Sequence, residues 1–266
     1  MDESIFIAEG DRFLPTEQAR GPWDPRALHG GAPAALMTAA FERHTPGEEL
    51  RIGRLSFEFL RPIPLAPLQL RTRILRPGRR VQELLGELYA GEELIVRGAA
   101  LRVQEVPGSA HAAVPPLALS EAPASLPAPA EGKPVRFALD GSSEESFAAS
   151  AMEMRWLSDP STPGPGRVWM RLRHPLVPGE PLTALARLAA TADFGNGVSA
   201  SLPFERFLFI NADLTIHLQR PPSGEWIGLD ARTLLHGGGS GLAEGVLHDE
   251  HGPLGRSFQT LVIQER

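Results

Sequence analysis

Cysteine is absent from the 266 residues, which excludes disulfides, thiolate metal sites and a cysteine nucleophile together. Any chemistry must come from oxygen and nitrogen groups, and no metal or cofactor is expected. Lysine is almost missing as well. Lys133 stands alone, so the positive charge is carried by arginine, a bias of composition that also suits bidentate anion contacts. The formal net charge of −6 lacks the basic excess of a general nucleic-acid binder, so no nucleic-acid partner is expected. No apolar run approaches the ~20 residues that span a bilayer. The acidic start Met1-Asp2-Glu3-Ser4 has neither the basic beginning nor the apolar stretch of a secretory signal. These absences together lead us to expect a cytoplasmic protein without a membrane partner.

What is present is a globular composition, 42% apolar and 22% charged, in a chain long enough for two units of roughly 100–150 residues. The two units are copies of one another. At a shift of 159, Leu55-Ser56-Phe57-Glu58-Phe59-Leu60-Arg61-Pro62 lies over Leu214-Thr215-Ile216-His217-Leu218-Gln219-Arg220-Pro221. Both alternate apolar and polar residues, the period of a half-buried strand. Leu68, Leu70, Arg73, Leu75, Gly86 and Leu88 then fall on Ile227, Leu229, Arg232, Leu234, Gly245 and Leu247. One inserted residue brings Leu101–Glu105 over Leu261–Glu265. Ahead of the strands each copy has an alanine-rich segment read as a helix, Gly31 to Arg43 and Pro181 to Phe194, with Pro181 suited to a first turn. Small side chains let a helix lie close to a sheet. The fold class expected is therefore α+β, two tandem repeats in which a curved antiparallel sheet wraps a helix. Residues 106–134, dense in Pro, Ala and Ser, read as a linker between repeats at 1–105 and 135–266.

Duplicated units diverge where only one copy keeps a function, so the mismatches are informative. Gln259 lies in phase with the apolar residues Leu261 and Ile263, over Ala99 in the first copy, and a buried amide there needs a partner. Asp193 ends the second helix, where the dipole disfavours a carboxylate, and its spacing puts it on the small-residue face with Ala186, Ala189 and Ala190. Phe194-Gly195-Asn196-Gly197 then reads as a glycine stop. Asn211 and Asp213 replace Ile52 and Arg54, and either also suits a strand entry. His29-Gly30-Gly31 precedes the first helix. It is either a plain entry turn or a place where free helix N–H groups receive an oxyanion. Gly237–Gly241 falls on the first copy's hairpin turn, and His248-Asp249-Glu250-His251 is expected to be a solvated turn without metal.

Taken in order, these residues resemble the double-hotdog acyl-CoA thioesterases of the medium-chain TesB type. The matching features are Ala192-Asp193, Asn211-Ala212-Asp213 leading to Arg220-Pro221, Gln259, and the glycine-glycine helix entry at Gly30-Gly31. Where the family often has threonine, this chain has Asn211. The resemblance implies hydrolysis of an acyl-CoA substrate by a water that Asp193 activates and that Gln259 and Asn211 hold. N–H groups near Gly30 or Gly31 would face the oxyanion. It also implies a homo-oligomer. Arg76, Arg79 and Arg80 are candidates for the phosphates of coenzyme A, and His29 for a substrate contact. Two other functions stay open at this point: an enoyl-thioester hydratase or dehydratase using His29 as base, and an acyl-CoA binding or sensing module in which Asp193 and Gln259 only satisfy one another.

Overall fold

The computed structural model describes residues 4–44, 50–105, 124–136 and 145–266. A short hairpin, β1 (Phe6–Glu9) and β2 (Arg12–Pro15), opens the first unit. Helix α1 (Gly31–Arg43) follows, and then β3 (Leu50–Phe59), β4 (Leu68–Arg76), β5 (Val81–Ala90) and β6 (Glu93–Gln104). The second unit runs β7 (Lys133–Pro134), β8 (Met152–Trp156), β9 (Gly166–Leu172), α2 (Ala184–Ala192) and a single turn α3 (Gly195–Val198). It ends with β10 (Phe207–Asn211), β11 (Asp213–Leu218), β12 (Ile227–His236), β13 (Ser240–Asp249) and β14 (Gly252–Glu265).

The fourteen strands of the described residues join one unclosed antiparallel sheet in the order β1-β2-β4-β5-β6-β3-β11-β14-β13-β12-β9-β8-β7, with β10 beside β14. This is the double-hotdog arrangement, two helices each flanked by a curved sheet. The copies meet where β3 pairs with β11, from Glu58 opposite Asp213 to Arg54 opposite His217. Ser56 faces Thr215 at the centre of that seam, and the shift of 159 carries Ser56 onto Thr215. A pseudo-twofold axis therefore passes between them.

Helix α1 is buried from Gly31 through Phe41, which fits a helix apolar on every side and enclosed by its sheet. A Cβ on Gly86 or Gly98, which pair across β5 and β6, would come within 3 Å of Met37 Cε. The bare glycines let α1 sit down on the sheet. Helix α2 packs antiparallel against α1. It begins at Ala184 and not at Pro181 because Thr183 Oγ1 accepts from the Ala186 N–H at 3.1 Å, a side-chain cap that proline cannot supply.

The last strand corrects the sequence alignment. Leu84 faces Ala100 in the first copy and Ala243 faces Gln259 in the second, and each pair of strands shifts register once, after Leu88 and after Leu247. The shift of 159 thus holds to the end without an insertion. Gln259 stands over Ala100, not Ala99, and Leu261 over Arg102. Arg102 is 2% exposed and donates to Gln82 Oε1 at 3.1 Å and to the carbonyl oxygens of Phe41 and His44 at the end of α1.

Residues 106–123 of the expected linker lie outside the described residues. The rest of that segment is seated on the second sheet. Lys133 pairs with Trp156, and Trp169 Nε1 donates to the Pro127 carbonyl at 2.7 Å. No helix among the described residues is long and apolar enough to cross a membrane.

Candidate active site

Asp193 is the C-cap of α2 and only 3% exposed. Ala186, Ala189 and Ala190 are fully buried, so the helix runs close against α1 and carries the carboxylate inward with it. A carboxylate buried at a helix C-terminus needs donors from elsewhere, and they come from three elements. Asn211, the last residue of β10, donates Nδ2 to Asp193 Oδ1 at 2.8 Å and to the Asp213 carbonyl at 3.1 Å. Gln259 on β14 donates Nε2 to the Asp193 carbonyl at 3.1 Å and approaches Oδ1 at 3.4 Å. His29, just ahead of α1, brings Nδ1 to 3.0 Å from Asp193 Oδ2.

Gln259 is 1% exposed, and its other end is also engaged, Oε1 accepting from the Asn196 N–H at 2.9 Å. The side chain therefore joins the end of α2 to the start of α3. The expected stop at Phe194–Gly197 is in fact this junction, where Gly195 opens a further turn. A Cβ there would lie 2.6 Å from Gln259 Oε1. Asp213 serves the backbone instead. Its Oδ1 accepts from the Thr260 N–H at 2.6 Å, closing the break between β10 and β11.

The His29 ring stacks on Phe194 at 4.3 Å between centroids and tilts against Phe147 at 5.1 Å. Nδ1 also lies 3.0 Å from the Gly31 amide nitrogen. These two contacts compete. With a proton on Nδ1 the ring donates to Asp193, and with the proton on Nε2 it accepts from Gly31. The Gly30 N–H has no acceptor among the described residues. Gly30 has φ −60° and ψ −26°, ordinary helical values, so its backbone does not demand glycine. The space does: a Cβ would lie 2.8 Å from Asp193 Oδ2 and 3.0 Å from Phe59 Cζ.

The fold thus gathers Asp193, Asn211, Gln259, His29, Gly30 and Gly31 into one cluster. It does not bring Arg76, Arg79 and Arg80 there. They are exposed at the β4–β5 turn, where the Arg80 carbonyl accepts from the Gln104 N–H and Gln104 pairs with Leu50. The cluster lies level with Glu58, eight residues along β3, or about 26 Å. Three members escape a reading of the sequence. Phe194 and Asn196 are visible there only as neighbours of Asp193. Phe147 comes from a π-helical turn (Phe147–Ala151) with no signal linking it to the site.

His248 and Asp249, expected in a solvated turn, are each 1% exposed. Asp249 binds Arg220 through both oxygens, Oδ2 to Nη1 at 2.7 Å and Oδ1 to Nη2 at 2.6 Å, so it anchors the Arg220-Pro221 end of the strand. Burial works to raise the Asp249 carboxyl, but the bonds from Arg220, the His251 N–H and Ser223 outweigh it and hold the group at about 2. Burial pushes the His248 imidazole down to about 4. Among the described residues no group of three or more His, Asp or Glu side chains converges to hold a metal ion.

A buried carboxylate ringed by amides and an imidazole, set where two hotdog units meet, defines a candidate hydrolytic or acid–base site. The chain belongs to the acyl-CoA thioesterase family, whose N-terminal domain matches residues 19–103 and whose C-terminal domain matches residues 121–263. No curated protein matches it. Among solved structures, a hot dog fold protein of unknown function from Alicyclobacillus acidocaldarius is 18% identical, with a TM-score of 0.72 over 100% of this chain and 97% of that one. One from Novosphingobium aromaticivorans, described provisionally as a thioesterase, is 22% identical with a TM-score of 0.71 over 97% and 98%. An acyl-CoA thioesterase II, TesB2, from Mycobacterium marinum is 18% identical with a TM-score of 0.63 over 97% and 93%. At these identities the likeness is one of fold.

Proposed function

We propose that this chain is a TesB-type thioesterase that hydrolyses an acyl-CoA to the free acid and coenzyme A. The observation that carries the reading is the buried Asp193 carboxylate, bonded on one oxygen by Asn211 and facing His29 with the other. A water held by Asp193 and the Asn211 carbonyl oxygen attacks the thioester carbon while Asp193 takes its proton. Asn211 serves here as the polar contact to that water. Gln259 acts through Asp193, by fixing the helix end that carries it.

The tetrahedral oxyanion meets the Gly30 N–H, joined by the Gly31 N–H when the proton on His29 Nδ1 is committed to Asp193. Collapse breaks the carbon–sulfur bond. The thiolate leaves and recovers a proton from Asp193, and with a thiol pKa of ~8.5 it needs no strong general acid. The reading assigns no catalytic part to Arg76, Arg79 or Arg80.

The His29–Asp193 distance also favours a second reading, addition of water to an enoyl thioester with His29 as base. Thiol release separates the two, since hydration leaves the thioester intact. The test follows free thiol from short, medium, long and aromatic acyl-CoA thioesters with wild type and Asp193→Asn. Hydrolysis predicts release by wild type and a fall of about 10²–10⁴-fold in kcat for the folded variant. Binding without release from any substrate would sink the reading in favour of a sensing module.

A further inference from the structure

The pseudo-twofold axis gives the catalytic cluster a counterpart at the other end of the helix pair. The end of α2 meets the start of α1 at Asp193, and the end of α1 meets the start of α2 at Glu42, whose Oε2 accepts from Thr183 Oγ1 at 2.6 Å. At the shift of 159, Ile52 stands for Asn211, Ala100 for Gln259 and Leu218 for Phe59. The places of the two amides that serve Asp193 are thus both apolar here, and the hydrolytic arrangement at Asp193 is not repeated among the described residues.

The counterpart is nevertheless hollow. A cavity of about 370 Å³ is lined by Glu42, Leu50, Arg51, Ile52, Arg102 and Leu218, among others, a size within the range of small-molecule sites. Its walls are mainly apolar, with arginines on the polar side. Arg102 is committed to Gln82 and the two carbonyls at the end of α1. Arg51 is only partly committed: Nη2 reaches the Gln219 carbonyl at 3.3 Å and Nε lies 3.6 Å from Glu105. Its Nη1 is shut off from solvent with no partner among the described residues. A buried guanidinium N–H without an acceptor is costly, and because Arg51 itself lines the cavity a small rotation of the guanidinium would turn that N–H to an anionic head group there. Burial raises the pKa of the Glu42 carboxyl, which lessens its repulsion of such an anion.

We propose that this cavity is a second, non-hydrolytic site for an amphiphile with an apolar tail and a carboxylate head, received by Arg51. The cavity and Arg51 carry the proposal, and only the coincidence of this ligand class with the acid product rests on the thioesterase reading.

Octanoate is the probe, with octanol as its neutral analogue, titrated calorimetrically into wild type, Ile52→Trp, Arg51→Gln and Asp193→Asn. Ile52→Trp fills the cavity, and Arg51→Gln removes the charge from a partly exposed position that leaves the core intact. Octanoate is expected to bind wild type and Asp193→Asn equally, to bind at least tenfold more weakly to Ile52→Trp and Arg51→Gln, and to bind better than octanol. Thiol release by the two cavity variants should stay at the wild-type level. Absence of octanoate binding would overturn the proposal, as would binding that Ile52→Trp and Arg51→Gln leave unchanged. Loss of binding when a non-hydrolysable acyl-CoA thioether fills the Asp193 site would relocate the acid to the catalytic cluster. A failure of thiol release in wild type would bear on the catalytic reading alone.

Discussion

Adding one methyl group at Gly30 should lower activity more than stability. Because Gly30 already has helical φ and ψ, alanine adopts the same backbone, and the gain of about 0.4–1 kcal/mol it brings through the unfolded state offsets part of the cost of the crowding. The new Cβ, however, would fall 2.8 Å from Asp193 Oδ2 and 3.2 Å from Oδ1, where about 3.4 Å is ordinary contact. The carboxylate must retreat by roughly half an ångström, which lengthens the 2.8 Å bond from Asn211 to about 3.3 Å and the 3.0 Å approach of His29 to about 3.5 Å, the limit of a useful bond. Misplacement by about 1 Å costs on the order of 10²-fold in rate, so half that displacement predicts a loss of about tenfold in kcat with little change in KM. The assay pairs steady-state thiol release with thermal unfolding of the same preparation. Undiminished kcat in a folded Gly30→Ala would mean that the reaction does not depend on where the Asp193 carboxylate sits.

Gly195→Ala should act on stability instead. Its Cβ would displace Gln259 Oε1 from 2.6 Å away, orphaning the Asn196 N–H at a cost of about 1–3 kcal/mol, which denaturant unfolding measures. His248, held down to about 4 in the fold against 6.5 in the open chain, makes stability full above pH 6.5. That stability falls as pH drops toward 4, by up to about 3 kcal/mol, and His248→Phe should flatten this slope. Asp249→Asn strips Arg220 of its buried partner and should cost about 2–3 kcal/mol at neutral pH. In wild type the Asp249 contribution is present above pH 3.8 and disappears as pH falls through about 2, so acid titration of the two proteins should converge there.

The repeat is legible because β3 and β5 bury alternate residues over much of their length, as their counterparts do, and a half-buried strand writes its period into the sequence. The end of the repeat misleads for a physical reason. Val103-Gln104-Glu105 resembles Ile263-Gln264-Glu265, which invites an inserted residue, whereas main-chain pairing keeps the two strands in step. The cost of staying in step is a guanidinium at the core position of Leu261, tolerated only because Arg102 caps the end of α1. No hydrophobic pattern announces such a residue.

Asp193, Asn211 and Gln259 stand out as polar residues where the other copy is apolar or the dipole is adverse. His29 is visible only as part of a glycine turn, since its approach to Asp193 depends on two helices crossing 164 positions apart in the chain. The hairpin β1–β2 and strand β7 are short and leave no periodic trace, and the alternation of β8, with Met152, Met154 and Trp156 buried between Glu153 and Arg155, is too brief to stand out. A run of polar letters such as His248–His251 reads as a loop, yet the strand carries His248 inside.

The seam at Ser56 and Thr215 has a consequence for how the protein behaves on dilution and under mutation. Separate identical subunits would meet along such a seam only above their dissociation constant, and every amino-acid change would be made on both sides of the axis at once. Here the two halves are one polypeptide, so the seam is closed intramolecularly and does not come apart as the protein is diluted. Each half is also free to change alone, and an isoleucine and an alanine can occupy on one side the places that an asparagine and a glutamine keep on the other.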